Sequence, residues 1–307
     1  MVVGEKASWQ LKIFKMVFWL IRLFTGKRMP DVIRMRREMD FGARTFLRRP
    51  DQVSYQPINM GGLPAERITP DGARHDKILY YLHGGAYALC SLNTHRRMVA
   101  LLAKEAGATA YAIEYRMAPE HIFPAALIDA VKGYEWLLGQ GFKPEDIIIA
   151  GDSAGGGLSV STMLKLREEG TPLPAAAVLL SPWADLEGSG ESNKRPQRRD
   201  SVLHNEGLTW HGKLYAGDND LRNPFISPIY ADCSHLPPMM IQVGQLELIY
   251  NDSTRMAENV SAAGVDVELV EWGHTFHVWQ IYDFMLPEAR QSIKEIGAYM
   301  RKHLGLN

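Results

Sequence analysis

Four consecutive apolar residues, Ile147, Ile148, Ile149 and Ala150, run directly into GDSAGGGL (151–158), and a helical stretch follows without a break. A short apolar run bounded by glycines reads as a strand buried on both faces. Passing from that strand to a helix within so few residues requires a sharp corner. Glycine tolerates such a backbone, and larger neighbours would collide with the flanking elements. The reactive group kept in the corner is the hydroxyl of Ser153. Gly151, Asp152, Ser153, Ala154 and Gly155 fit G-x-S-x-G between a strand and a helix, the context that pattern requires. The helix starting behind Ser153 would aim its unpaired N–H groups and positive dipole end at an anion forming above the serine.

Around this corner the chain alternates. VSYQPINM and PAERITP read as hairpin-like strands, KILYYLHGG as a strand ending in glycines, TAYAIEYR (109–116) as a strand, FPAALIDAVKGYEWLL as a helix, DIIIAGD as a strand and AGGGLSVSTMLKLREE as a helix. AAAVLLSP, MMIQVG and VDVELVEW supply three more strands, and a last helix is predicted over about residues 282–303. Such alternation implies an α/β fold, a mostly parallel sheet with helices on both faces and mixed at its early strands. With 307 residues and 46% hydrophobic content, the chain can bury a sizeable core. The stretch from about 185 to 220 carries Arg, Asn, Ser and Trp without strand periodicity and is too long for an ordinary connection. It reads as a lid insertion in a catalytic domain over 51–307, with the basic run around Lys194 a solvated loop.

Residues 1–50 read as N-terminal cap helices. WQLKIFKMVFWLIRLF (9–24) is the most apolar stretch of the chain, but Lys12, Lys15 and Arg22 interrupt it, and no small-residue cleavage site follows. It suits neither a spanning helix nor a signal peptide. On a helical wheel Lys12, Lys15, Trp19 and Arg22 share one stripe, leaving a broad dry face. That face is expected to pack over the protein's own binding site; a partner subunit, as in a homodimer, and a membrane surface are the alternatives. Pro30 suits the first turn of a second helix, in which Val32, Met35, Met39, Ala43 and Phe46 recur at helical spacing.

The 34 Lys and Arg against 35 Asp and Glu leave a formal charge of -1, so no global field draws the chain to nucleic acid. Cys90 and Cys233 stand in no C-x-x-C spacing and read as small core residues. Their number suits a reducing, cytoplasmic setting.

In an open α/β sheet, ligands sit beyond the carboxyl ends of the strands. Besides the serine corner, two such places carry chemistry. HGGAY (83–87) follows KILYYL, and its paired glycines can turn N–H groups toward a reacting carbonyl. Gly84, Gly85 and Ala154 are the expected donors, with Tyr87 beside the acyl group and His83 bracing the loop. The loops after the last two strands offer Glu247 and Asp252, then His274 and His277. A serine hydroxyl needs an imidazole to take its proton, and the imidazole needs a carboxylate to hold its tautomer. The chain order Ser, acid, His is the one expected on such a sheet.

HGGAY, YRMAPEHIFPAALIDA, GDSAGG, SPWADL and HVW, in this order over about residues 75–285, closely resemble the bacterial hormone-sensitive-lipase-like carboxylesterases of the α/β-hydrolase fold. The resemblance implies Ser153 as nucleophile, His277 as base and oxyanion donors at Gly84, Gly85 and Ala154. The family's acid motif resembles G-x-x-D-P-L, whereas this chain reads GQLELIYND. Aligning Gly244 puts Glu247 at the acid position, with Asp252 the alternative. PFISPIYADCSHLPPMMIQVG is similar to a subset that includes lactone hydrolases, so a cyclic ester joins short- to medium-chain esters as an expected substrate.

The rival readings are weaker. His274 and His277 could form a metal pair, but no third ligand stands in recognisable spacing. GDSAGGGL lacks the G-K-S/T ending of a phosphate loop, and no G-x-G-x-x-G occurs. A non-catalytic binding protein on this fold would be expected to lack His277. An amidase or acyltransferase would differ only in leaving group or acceptor. No cofactor and no metal are expected, and the expected partner is a small ester.

Overall fold

The apolar runs become the centre of a nine-stranded sheet. The computed structural model of the chain describes residues 2–3, 6–24, 31–195 and 200–306, with the backbone alone at Val2, Trp19 and 21–24. Pro30, the side chain of Arg22 and most of the basic run after Lys194 therefore lie outside the described residues. In chain order the elements are β1 (Val2–Val3), α1 (Trp9–Phe24), α2 (Val32–Phe46), β2 (Val53–Met60), β3 (Leu63–Pro70), β4 (Arg74–Leu82), α3 (Leu92–Ala106), β5 (Ala108–Ile113) and α4 (Ala125–Gly139). They continue with β6 (Ile147–Asp152), α5 (Ala154–Glu168), β7 (Ala176–Leu180), α6 (Asn205–Ala216), β8 (Met239–Gly244), α7 (Tyr250–Ala262), β9 (Val267–Trp272) and α8 (Pro287–His303).

The strand order is β1-β9-β8-β7-β6-β4-β5-β3-β2. β3 runs antiparallel to β2 and β5, and every other neighbouring pair is parallel. β6 is buried along its whole length. Its side chains alternate between two apolar layers: Ile147 and Ile149 enter one core, and Ile148 and Ala150 enter the other. β4 does the same, with Ile78, Tyr80 and Leu82 on one face and Leu79 and Tyr81 on the other. Two-sided burial is why these strands read as continuous apolar runs.

Three differences from the sequence reading have local causes. α3 carries polar residues on its outer face; it starts in a capping box of Ser91 and Thr94 and ends at Gly107 with φ 67°. α8 begins at Pro287 rather than near 282, because residues 279–282 form a separate 3₁₀ turn. The insertion at about 185–220, for which no element was specified, holds the helix α6.

α2 and α6 meet over the loop after β4. Val32, Met35 and Met39 pack with Ala88 and Leu89 of that loop and with Trp210 and Leu214. Arg36 pins α2 there, donating to Ala88 O at 3.0 Å and Ala118 O at 2.7 Å. Ala43 is buried in α2 as its spacing predicts, whereas Phe46 is exposed at the helix end.

The pairing Leu82↔Gly151 ends β4 and β6 side by side, so their loops touch. A Cβ on Gly155 would enter the van der Waals space of Leu82 O, and would lie 2.6 Å from His83 O. Gly155→Ala is therefore expected to lower the denaturant midpoint, costing about 1–3 kcal/mol as overpacking against backbone that cannot retreat. Gly139→Ala, where nothing lies within 4 Å, is expected to be neutral or stabilising by up to about 1 kcal/mol.

Candidate active site

Ser153 sits between β6 and α5 with φ 51° and ψ −122°, a backbone that side-chain-bearing residues rarely adopt. Main-chain bonds hold it there: Ser153 N donates to Leu180 O at 2.8 Å, and its own carbonyl accepts from Trp183 N at 2.9 Å and Gly157 N at 3.1 Å. The strain lifts Oγ above the carboxyl edge of the sheet.

His277 arrives from the loop after β9. Its Nε2 lies 2.8 Å from Ser153 Oγ, and its Nδ1 lies 2.8 Å from Glu247 Oε2. Ser153 retains 9% exposure, His277 7% and Glu247 none. The other oxygen of Glu247 accepts from Gly244 N at 2.6 Å and Ser181 Oγ at 2.7 Å. Burial alone would lower the pKa of His277. The hydrogen bond and charge of Glu247, with contributions from Asp200 and Asp152, outweigh it and raise the imidazole above 6.5.

The rival residues lie elsewhere. Asp252 is fully buried at the start of α7, where Oδ2 accepts from Ala184 N at 3.0 Å and Asp185 N at 2.9 Å. Burial and the neighbouring Asp185 raise its carboxyl well above the ordinary range. His274 is exposed, and its carbonyl accepts from Lys15 Nζ at 3.4 Å. Among the described residues no group of three or more His, Cys, Asp or Glu side chains could hold a metal ion. Cys90 and Cys233 are both free thiols, the second buried.

The loop after β4 corrects two expectations. The amide of Gly84 donates to Asp152 Oδ1 at 2.9 Å, so it is turned into the protein and cannot face a substrate. The amides of Gly85, Ala86 and Ala154 donate to no protein group among the described residues. Tyr87 is fully buried and stacks on Tyr215 at 3.7 Å and 6°, so it lines no open pocket; it anchors the loop to the core. Gly84 is needed for closeness, since a Cβ there would collide with the carboxylate of Asp152.

His83 braces the loop as the sequence suggested. Its ring stacks on Tyr115 at 4.4 Å, its Nδ1 lies 2.7 Å from Gly84 O, and burial beside His95 lowers its pKa to about 4.

Four contributors were not legible as site residues beforehand: Asp152, His95, Ser181 and Ala86. Asp152 accepts from Tyr81 Oη at 2.7 Å and from Gly84 N, and lies 3.1 Å from His95 Nε2. Burial would raise Asp152, but His95, Tyr81 and the Gly84 amide more than offset it and hold the carboxyl below its ordinary value. His95 is raised above 6.5 because the charge and hydrogen bond of Asp152 outweigh its burial. The only advance signal for Asp152 is its place before the serine. His95 had none, being a histidine in a polar helix.

Because the depressed Asp152 stabilises the fold above the ordinary carboxylate pKa and loses that contribution as pH falls through its lowered value, Asp152→Asn has a defined pH signature. At pH 7 thermal unfolding is expected to show a loss of about 3 kcal/mol, as for removal of one partner from a buried pair. The difference from wild type should shrink as the pH falls toward 2.

Known proteins of like sequence and structure bear on this geometry. Residues 79–281 match a family model described as the alpha/beta hydrolase fold. The chain is 43% identical to an acetyl-hydrolase of Streptomyces hygroscopicus, over 81% of this chain and 83% of that protein. It is 34% identical to an esterase of Acinetobacter venetianus, over 86% of this chain and 87% of that protein. The crystal structure of an esterase from the bacterial hormone-sensitive lipase family superposes with a TM-score of 0.91 at 38% identity, covering 98% of this chain and all of that one. The chain belongs to the α/β-hydrolase family, in its hormone-sensitive-lipase-like branch of carboxylic ester hydrolases.

Proposed function

We propose that the ester hydrolysis runs through an acyl-enzyme on Ser153, with His277 as general base and Glu247 as the acid behind it, on esters of short to medium acyl chain. The observation that carries this reading is the unbroken hydrogen-bonded line from Ser153 Oγ through His277 to Glu247, at 2.8 Å for each step. His277 takes the serine proton as Oγ attacks the ester carbonyl, then returns it to the leaving alcohol. A water activated by the same imidazole releases the acid. The amides of Gly85, Ala86 and Ala154 supply the oxyanion donors. The dipole of α5 adds to their field.

The small exposures of Ser153 and His277 favour a small acyl group, and the name of the Streptomyces hygroscopicus relative points the same way. α2 and α6, meeting over the oxyanion loop, act as the cap on the acyl side. The free thiols of Cys90 and Cys233 suit a reducing, cytoplasmic setting.

Ser153→Ala is expected to reduce turnover of p-nitrophenyl butyrate by at least about 10⁴-fold with an unchanged melting temperature. Undiminished turnover would end the assignment. On p-nitrophenyl esters from acetate to palmitate, kcat/KM is expected to peak at about eight carbons or fewer. A γ-lactone in the panel tests the cyclic ester.

The base must be neutral to accept a proton, so the acidic limb of kcat/KM is expected to fall above pH 6.5, reflecting the raised pKa of His277. Glu247→Gln should move that limb to lower pH and cut kcat by about 10³- to 10⁴-fold. Asp252→Asn should change kcat by less than about fivefold, since Asp252 pairs with the Ala184 and Asp185 amides while the imidazole pairs with Glu247, and its carboxyl is already inclined to protonation.

A further inference from the structure

Helix α1 divides its apolar residues between two faces. Leu11 and Phe14 are buried, and Phe14 stacks on Phe276, next to His277, with ring centroids 4.9 Å apart. The opposite face is left to solvent: Trp9 is 68% exposed and Met16 55%, with Ile13, Val17 and Leu20 also exposed. These five recur at helical spacing, so they form one apolar strip along the helix. Ser8 anchors its start, with N at 2.8 Å and Oγ at 3.0 Å from the carboxylate of Glu288.

Basic side chains stand beside the strip. Lys6, Lys12 and Lys15, with His274, line a depression at its border. Six of the chain's 34 Lys and Arg lie between residues 6 and 30, and none of its 35 Asp and Glu does. The segment is thus strongly basic in a chain whose total is -1. Two copies of this face laid together would bring their lysines into mutual repulsion. An anionic lipid surface meets both features, taking the apolar strip below its headgroups and pairing those headgroups with the lysines. At 16 residues, α1 can lie along such a surface, and among the described residues no helix is long and apolar enough to cross a membrane.

We propose that the outward face of α1 docks this protein, peripherally and reversibly, on a membrane surface bearing anionic lipid. Docking there would hold the loop that carries His277 beside the bilayer, because α1 packs directly on that loop. The attraction is partly between exposed charges, so it weakens with salt.

The test is flotation of the full chain with 100 nm vesicles of phosphatidylcholine alone or with about 30% phosphatidylglycerol. The wild type is expected to float at least tenfold more with the anionic vesicles at low salt, and to be released by 0.5 M NaCl. Met16→Glu/Leu20→Glu should abolish flotation, and Lys12→Glu, at an exposed site, should reduce the anionic preference several-fold. Circular dichroism and melting temperature should be unchanged in both. Equal flotation with both vesicle types, no flotation, or flotation that survives the double substitution overturns the proposal. So does a wild-type dimer in sedimentation velocity that the double variant converts to monomer, which would make a second copy the occupant. Turnover of a soluble ester by the wild type is independent of every one of these outcomes, so failure of docking and failure of the esterase reading remain distinguishable.

Discussion

The closeness of two backbone segments at the carboxyl edge of the sheet is the constraint on which the rest depends. The loop after β4 and the corner after β6 approach so tightly that Gly84, Gly151 and Gly155 have no room for a Cβ. Asp152 locks the approach by accepting from the Gly84 amide on one loop while being part of the other. A side chain at any of these glycines would push the loop after β4 away from the serine. Acyl transfer tolerates little such movement, since donors act only over a hydrogen-bond length. The buried carboxylate of Asp152 is itself compatible with the apolar interior because Tyr81, His95 and a main-chain amide surround it.

The acid side is built on the same plan. Glu247 spends one oxygen on Gly244 N and Ser181 Oγ and the other on His277, so the glutamate is fixed in its rotamer before the imidazole is considered. Asp200, within the insertion, accepts from Leu248 N at 2.9 Å, immediately after Glu247. Arg195, before the insertion's undescribed residues, donates to Gln245 O at 2.9 Å. Arg195 and Asp200 of the insertion thus both hold the loop that carries Glu247.

The N-terminal region serves two directions at once. α2 closes over the loop after β4 through Arg36 and a small apolar cluster. α1 is seated on the histidine loop by its buried aromatic residues and leaves its other apolar face outward. The broad dry face legible in the sequence is thus only partly consumed by the protein itself. A helical wheel counts apolar residues around the axis but cannot say on which side the body of the protein stands.

Local chemistry made much of this chain readable in advance. Apolar runs between glycines marked strands buried on both faces, and the glycine-flanked serine marked the corner, because backbone sterics depend on nearest neighbours. Ser153 and the pairs Glu247/Asp252 and His274/His277 could be singled out since each follows a strand, and strand ends share one edge in a parallel sheet; the family resemblance then favoured Glu247 and His277. Which amide faces the substrate could not be read this way. Gly84 and Gly85 look equivalent in HGGAY, and only the approach of Asp152 takes up the first amide while those of Gly85 and Ala86 have no protein acceptor among the described residues. Tyr87 likewise looked like a pocket residue until Tyr215, from an insertion more than a hundred residues away, stacked on it. Composition and spacing along the chain thus determined the elements, the corner and the candidate nucleophile, base and acid. The direction of each hydrogen bond and the side of each ring were decided by partners distant in sequence, through contacts that exist only once the layers have packed.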